Sequence, residues 1–443
     1  MSVDALEVLS RVAREIGIPA GSLPLPADLP TVPLPSRLSV GDLAAASVAA
    51  ASLAAGLEPA LIDGVRVAAA YRSDRLFALD GTAPPVWSPY SGFWRTDDGS
   101  IRTHGNYPHH AAALRRALGL TDRADADAVA AAVHALPATT AVSRISAVGG
   151  LAVSVDREDP GVDAGLRALP LLDVQSVDGT SAGAAADLTD APPSAPTDRA
   201  PLTGIRVLDL TRVIAGPVAT RTLALLGAEV LRIDPPALAE PEWQHLDTGH
   251  GKRSAVLDAR SARMGELVDA ADVIVLGYRP ASLERLGLSP AALGARNPGV
   301  IVAQLSAWGD EHPHAAGFDS LVQAASGIAW IESTDGVRPG VLPAQALDHS
   351  AGYLLAAAIT SLARRPRMHD RSWIVRTSLR RVAAELLGMP RTAGPAPTAL
   401  QDPAVEHATR FLVDGREVVT ARPALPGLEF AAPHPWGSDQ PRW

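Results

Sequence analysis

The sequence predicts an α/β protein: an open parallel sheet with a smaller α/β domain beside it. Three observations carry that reading. The stretch Pro201–Pro236, PLTGIRVLDLTRVIAGPVATRTLALLGAEVLRIDPP, runs through a buried apolar strand, a tight Gly-Pro turn, a helix and a second apolar strand. Short apolar runs then alternate with single helix-like segments as far as Leu305, which implies right-handed crossovers between parallel strands. The aromatic-rich segment VWSPYSGFWRTDDGSIRTHGNYPHH reads instead as turns and short strands of a different unit. The first stretch is the opening βαβ unit of a Rossmann-like sheet, and a ligand crevice is expected where its first strand ends.

Taken in order, Val3–Ile16 and Leu43–Leu57 read as helices. Asp97-Asp98-Gly99 is a hairpin turn between Phe93-Trp94-Arg95 and Ile101-Arg102-Thr103, and a helix over Ala111–Leu118 follows. This patch is either a packed small-domain core or a wall of a site. Residues 173–200 are rich in Ala, Ser, Asp, Thr and Pro and lack a periodic apolar face. They read as an exposed linker between an N-terminal part (1–172) and a C-terminal part (201–443).

In the C-terminal part, Ile205–Leu210 and Glu229–Ile233 are strands flanking a helix over Val218–Leu226, which stops at Gly227. Ala255–Asp258, Val273–Leu276 and Val300–Leu305 are further strands, with helices over Ala262–Ala270 and Pro290–Arg296. Beyond Gly317 the pattern turns helical, over Ser320–Trp330 and Asp348–Arg364. Gly41-Asp42-Leu43-Ala44-Ala45-Ala46 echoes Leu347-Asp348-His349-Ser350-Ala351-Gly352. A duplication and a chance likeness of two Ala-rich helices both explain the echo.

Composition bounds the chemistry. The 443 residues contain no cysteine, which removes thiol nucleophiles, Cys-ligated metal and disulfides. A net charge of −9 argues against nucleic acid as a partner. The opening residues MSVDALEVLSRVAREIG read as an amphipathic helix and not as a leader. The apolar stretch Leu43–Leu57 is too short to span a bilayer. The expectation is a cytoplasmic protein with no membrane partner.

Asp348 is the sharpest candidate for chemistry. It stands between an extended run, VLPAQAL, and a helical one, HSAGYLLAAAITSLARR. Asp is a favoured helix N-cap, so a purely structural role is one reading. At that position helix N–H groups favour the carboxylate form, and Asp carboxylates do act as covalent nucleophiles. The small neighbours Ser350, Ala351 and Gly352 would let a bulky substrate approach. The turn from Arg212 through Ile214, Ala215 and Gly216 to Pro217 is neither GxGxxG nor a P-loop, yet its backbone N–H groups suit a ligand. Arg232, Lys252, Arg253 and Arg279, the last beside Tyr278, recur near expected strand ends and suit phosphates, or are ordinary loop charges. His104, His109 and His110 lack metal-site spacing, so no metal is expected.

These residues resemble the family III CoA-transferases, the group that includes formyl-CoA transferase, carnitine CoA-transferase and α-methylacyl-CoA racemase. The likeness rests on GIRVLDLTRVIAGPVATRTLALLGAEVLRIDPP, GKRSAVLD, ADVIVLGYRPASLERLGLSPAALGARNPGVIVAQLSAWG, GFDSLVQAASG and LDHSAGYLLAAAITSL, in that order. The resemblance implies that Asp348 attacks an acyl-CoA thioester, and that CoA passes to a carboxylic acid through aspartyl anhydride and aspartyl thioester intermediates. It implies that Arg212, Ile214, Ala215, Gly216, Arg232, Lys252, Arg253, Tyr278 and Arg279 hold CoA, a substrate and not a tightly bound cofactor. It also implies a homodimer. The small-domain-like segment precedes the nucleotide-fold part, whereas the family normally inserts it after, so the chain reads as a fused or rearranged variant whose first part is a degenerate half. Pro235 stands where many members carry Arg, and Phe318 where the racemases carry His, which favours transfer over racemisation. A racemase-like enzyme and a non-catalytic CoA-thioester-binding protein are the alternatives.

Overall fold

Apolar runs with single helical crossovers have one stable arrangement, a parallel sheet covered on both faces. The computed structural model, which describes residues 3–18, 26–177, 200–365, 371–392 and 405–443, has that arrangement at its centre. In chain order the strands are β1 (Ala78–Leu79), β2 (Phe93–Arg95), β3 (Ser100–Thr103), β4 (Ala152–Ser154), β5 (Asp173–Ser176), β6 (Arg206–Leu210), β7 (Glu229–Asp234), β8 (Lys252–Val256), β9 (Val273–Leu276), β10 (Ile301–Ser306), β11 (Trp373–Ser378), β12 (Ala408–Val413) and β13 (Arg416–Ala421). The main sheet has the order β5-β11-β10-β9-β6-β7-β8. It is parallel except for β5, which runs antiparallel to β11. From β6 the chain builds outward through β7 and β8, then returns to place β9 on the other side of β6. The switch point therefore lies between β6 and β9, where a crevice opens at the carboxyl ends of the strands.

Several boundaries differ from the sequence reading. β8 is Lys252–Val256, three residues earlier at its start than the expected Ala255–Asp258, because pairing with Val230–Asp234 sets its ends. Residues 320–330 are two helices, Asp319–Ala325 and Ile328–Ile331, parted at Gly327 with φ of 87°. The segment expected as linker begins with β5, an edge strand whose pairing with β11 is invisible in its mostly polar sequence. The rest of that segment, 178–199, lies outside the described residues.

One face of the main sheet is covered by the helices Ala215–Leu225 and Ala346–Ala363; Val40–Ala55 packs on Ala346–Ala363 and Val3–Glu15 on Val40–Ala55, all contributing to one core. The two Ala-rich helices that echo each other in sequence pack together there. Gly352 is required by this packing: a Cβ at that position would lie 2.6 Å from the Ala215 carbonyl oxygen and 2.8 Å from Val218 Cβ. Ser350 and Ala351 are also fully buried. The small residues after Asp348 thus let helices approach, not a substrate, which corrects the sequence reading. The opposite face is covered by Ala262–Asp269, Pro280–Glu284 and Pro290–Arg296 around a second core.

The aromatic patch forms the antiparallel sheet β2-β3-β4, closed by helices Pro108–Ala117, Ala126–His134 and Ala138–Ala147 over Trp94, Ile101 and Leu114. It docks beside the main sheet's crevice. The Asp156 N–H donates to the Ala324 carbonyl at 3.0 Å, and the Trp330 indole N–H donates to the Val155 carbonyl at 3.1 Å. A third sheet, β1-β13-β12, completes the structure. Among the described residues no helix is long and apolar enough to cross a membrane.

Candidate active site

Asp348 sits in the first turn of the helix Ala346–Ala363, three residues beyond the N-cap Gln345, and not at the cap itself. Its own backbone N–H donates to Asp319 Oδ2 at 3.0 Å. The cap of this helix is therefore Asp319, whose other oxygen accepts from Gln323 Nε2. Asp348 is only 6% exposed, yet it lines two cavities. No group among the described residues hydrogen-bonds its carboxyl oxygens.

The electrostatics of this pair reverse one sequence expectation. Burial pushes the Asp348 carboxyl well above the usual carboxylate range, and the neighbouring Asp319 charge pushes it further. Burial also raises Asp319, but the N–H groups of Asp348 and Leu347 and the Gln323 amide all favour its charged form. Two buried carboxyls this close do not both ionise freely, and the donors settle the negative charge on Asp319. Helix N–H groups do stabilise a carboxylate here; the carboxylate is Asp319.

A pH dependence follows. If Asp348 must be ionised to react, activity falls on the acid side at a pH above the ordinary Asp value of about 3.9. Asp319→Asn removes the negative neighbour while its side-chain oxygen still accepts the helix N–H groups. The Asp348 carboxyl then drops, and the acid limb of kcat is expected to move to lower pH. A kcat–pH profile of both proteins checks the shift.

The larger cavity, about 690 Å³, lies at the switch point. Arg212, Val213 and Ala215 reach it from the end of β6, and Gly277, Tyr278 and Arg279 from the end of β9. His109, His110 and Tyr107 close it from the small domain. Asp348 is the sole carboxylate in this lining, against two arginines. The Arg212 guanidinium lies 4.8 Å from the Tyr107 ring centroid. Val213, a β-branched residue, has φ of 73°, a strained conformation. Its N–H donates to Glu240 Oε1 at 2.6 Å, which holds the strained turn in place but removes that N–H from any ligand.

The smaller cavity, about 290 Å³, lies on the other side of Asp348. Ile214, Phe318, Gln323 and His349 line it from the C-terminal part, and Tyr71, Trp87, Arg102 and His104 from the N-terminal part. Phe318 borders both cavities and stacks on His104 with ring centroids 4.0 Å apart. Burial, with His110 and Arg102 nearby, lowers His104 to about 3. Burial, with His109, Arg212 and Arg279 nearby, lowers His110 to about 4. Both rings are neutral at pH 7. Among the described residues no cluster of His, Asp or Glu has a metal-holding arrangement.

The structure thus brings Arg212, Ile214, Ala215, Tyr278 and Arg279 to cavities that Asp348 also lines. It keeps four expected contacts away. Arg232 is fully buried between Asp234, at 2.8 Å, and Glu240. Lys252 is buried with its ammonium donating to Asp209 Oδ2 at 3.1 Å, Thr220 Oγ1 at 2.6 Å and the Pro217 carbonyl at 2.9 Å. Arg253 is bound to Glu229 and to the Arg442 carbonyl. Lys252 and Arg253 begin β8, at the amino ends of the strands, whereas the crevice is at the carboxyl ends. Gly216 lies against Thr211, whose Cβ would be 2.4 Å from an added Cβ, so this glycine serves strand–helix packing. Residue-type reasoning missed Asp319 and Glu240, which no local pattern marks, and assigned no role to Arg102 or Tyr107. The density of aromatic and His residues between 86 and 110 was the available signal.

Part of the chain is similar to known proteins. Residues 202–408 match the model of CoA-transferase family III. A probable fatty acyl-CoA transferase of Mycobacterium tuberculosis is 36% identical over 179 residues, covering 36% of this chain and 45% of that protein. The succinyl-CoA:glutarate CoA-transferase of Mus musculus is 35% identical over 162 residues, covering 32% of this chain and 37% of that one. A solved structure of a hypothetical protein from Mycobacterium tuberculosis has a TM-score of 0.39 and 34% identity, covering 43% of this chain and 58% of that one. The chain spans less than half the length of these curated relatives. Over residues 202–408 the chain is thus similar to CoA-transferase family III.

Proposed function

We propose that the protein transfers CoA from an acyl-CoA thioester to a carboxylic acid, with Asp348 as the covalent nucleophile. The observation that carries this reading is the position of Asp348: without a hydrogen-bond partner at its carboxyl oxygens among the described residues, and lining both a cationic cavity and a smaller one. In the larger cavity Arg212 and Arg279 supply the charge that CoA phosphates need. The Asp348 carboxylate attacks the thioester carbonyl, forming a mixed anhydride and releasing CoA thiolate. The thiolate attacks the aspartyl carbonyl, giving an aspartyl thioester and the free acid of the donor. An acceptor carboxylate attacks that thioester and frees the thiolate, which then attacks the acceptor's carbonyl and regenerates Asp348. Anhydride and thioester are of comparable reactivity, so each exchange has a modest barrier. The low polarity around Asp348 raises its carboxyl and makes the ionised form a less solvated, stronger nucleophile. The homodimer and cytoplasmic setting expected from the sequence belong to this reading.

The test is to incubate the protein with an acyl-CoA and hydroxylamine and to map the modified peptide by mass spectrometry. An aspartyl hydroxamate at Asp348 supports the proposal; an unmodified Asp348 with intact CoA binding removes it in favour of a binding protein. Arg279→Ala is expected to raise KM for acyl-CoA by roughly 10-fold with a smaller change in kcat, and to flatten the salt dependence of KM. Steady-state kinetics at two ionic strengths check both. His104, a neutral ring in the same cavity as Asp348, favours a second reading, α-proton exchange on the thioester. Deuterium wash-in at the α-carbon without acyl exchange would select it.

A further inference from the structure

His349, the residue next to Asp348 in the chain, is a buried ring whose hydrogen-bonding capacity is unused. It is 4% exposed and lines the smaller cavity together with Asp348. Its Nδ1 is shut away without a hydrogen-bond partner, and no group among the described residues bonds to its Nε2. The ring stacks on Tyr71, with centroids 5.0 Å and planes 26° apart, and the Tyr71 hydroxyl lies 3.0 Å from Ser350 Oγ. That stack fixes the plane of the imidazole. Burial, with Arg221 nearby, lowers His349 to about 3, so the ring is neutral at pH 7 and carries one N–H. Buried N–H groups without an acceptor are rarer than buried acceptors without a donor. The proton therefore belongs on Nε2, the ring atom that the cavity can reach.

Attack by a carboxylate on a thioester puts negative charge on the carbonyl oxygen, and that charge needs donors already in place. The backbone N–H groups at the head of the helix are otherwise engaged. Those of Leu347 and Asp348 go to the Asp319 carboxylate, and that of His349 goes to the Gln345 carbonyl at 3.1 Å. The Val213 N–H, at the edge of the larger cavity, goes to Glu240. Adjacent Cα atoms are about 3.8 Å apart, so a side chain at 349 that shares a cavity with Asp348 can reach a group bonded to the Asp348 carboxyl. We infer that His349 Nε2–H is a catalytic hydrogen-bond donor to the acyl carbonyl oxygen, holding the oxyanion that forms when Asp348 adds to the thioester. The inference rests on the proposed use of Asp348 as the nucleophile. As the Asp348 oxygen bonds to the carbonyl carbon, the C=O π pair moves onto the carbonyl oxygen and meets the imidazole N–H. The proton stays on nitrogen. When the C=O bond re-forms, the C–S bond breaks and CoA leaves as the thiolate. A neutral ring suits this role, because an imidazolium would pair with the Asp348 carboxylate and blunt it as a nucleophile.

His349→Phe keeps a flat ring to stack on Tyr71 and loses the N–H, whereas His349→Gln keeps an N–H donor and loses the ring. Both are compared with the wild type on whichever of acetyl-, succinyl- and palmitoyl-CoA the wild type turns over fastest, with folding checked by circular dichroism and thermal melts. The rate of aspartyl hydroxamate formation at Asp348 is expected to fall on the order of 10²-fold in His349→Phe, with KM changed much less, and to recover in large part in His349→Gln. The acid limb of the kcat–pH profile, set by Asp348, should stay in place in both. A His349→Phe variant as fast as the wild type overturns the inference, as does a His349→Gln variant as slow as His349→Phe. So does a rate loss accompanied by a displaced acid limb, which would mark an effect on Asp348 and not on the oxyanion. If His349→Phe fails to fold, His349→Met, which fills the space of Gln without an N–H, takes its place, and its contrast with His349→Gln is read in the same way. Failure of the transferase reading is separable: it shows in the wild type, as an Asp348 that hydroxylamine never traps, whereas failure of the inference shows in the variants of a protein that is trapped.

Discussion

Asp348→Asn is expected to lower kcat by at least about 10³-fold while leaving the fold intact. The amide is nearly isosteric with the carboxyl but cannot displace a thiolate. The helix does not depend on the Asp348 side chain for its cap, because Asp319 accepts the backbone N–H at that position whatever side chain stands there. Stability should change in a direction that identifies the cause. A carboxyl raised in the folded state holds its proton more tightly there than in the unfolded chain. Its contribution is therefore fully present below the unfolded value and is lost as pH rises through the folded one. The amide that replaces the carboxyl does not ionise, so the variant escapes that loss. Relative to the wild type it should gain thermal stability between pH 4 and pH 8. Melting both proteins at the two pH values, together with single-turnover assays, checks the prediction. Full activity in the variant would remove Asp348 from the mechanism.

Arg232→Met carries the second large effect, on stability and not on binding. Arg232 is fully buried and joins Asp234 and Glu240. Removing one member of a buried charge cluster leaves uncompensated carboxylates in the interior, at a cost of about 3–5 kcal/mol. For a protein of this size that is a fall in melting temperature of about 3–5 °C. Glu240 also holds the N–H of Val213 and accepts from the Tyr107 hydroxyl at 3.3 Å, so the strained turn at the crevice loosens as well. A direct phosphate contact would show the opposite pattern, a raised KM for acyl-CoA with an unchanged melting temperature. Thermal melts beside KM measurements on the same preparation distinguish the two.

Much of the architecture was legible in the chain because local patterns carry it. The apolar runs at 205–210, 229–233, 273–276 and 300–305 are buried strands in any context, and single helices between them impose parallel pairing. The crevice at the end of β6 followed from that topology. The Asp97-Asp98-Gly99 turn marked a hairpin for the same local reason. Boundaries at β5 and β8 were not legible, because partner strands set them.

Side-chain roles divided along a similar line. A run of Arg and Lys near strand ends states that charge is present, not which charges already have partners. Arg232 and Lys252 turned inward to Asp234, Glu240 and Asp209, residues 2 to 43 positions away. Arg102 turned inward and met the rings of Trp87 and Phe93. Asp348 was recognisable from its place at the head of an Ala-rich helix. Its raised carboxyl was not, since that comes from burial among segments from both parts of the chain and from Asp319, 29 positions away. Strand identity and crossover direction depend on interactions within about thirty residues, which order along the chain encodes directly. Ion pairing, desolvation and the enclosure of a site depend on which distant segments meet, and only packing in three dimensions sets those.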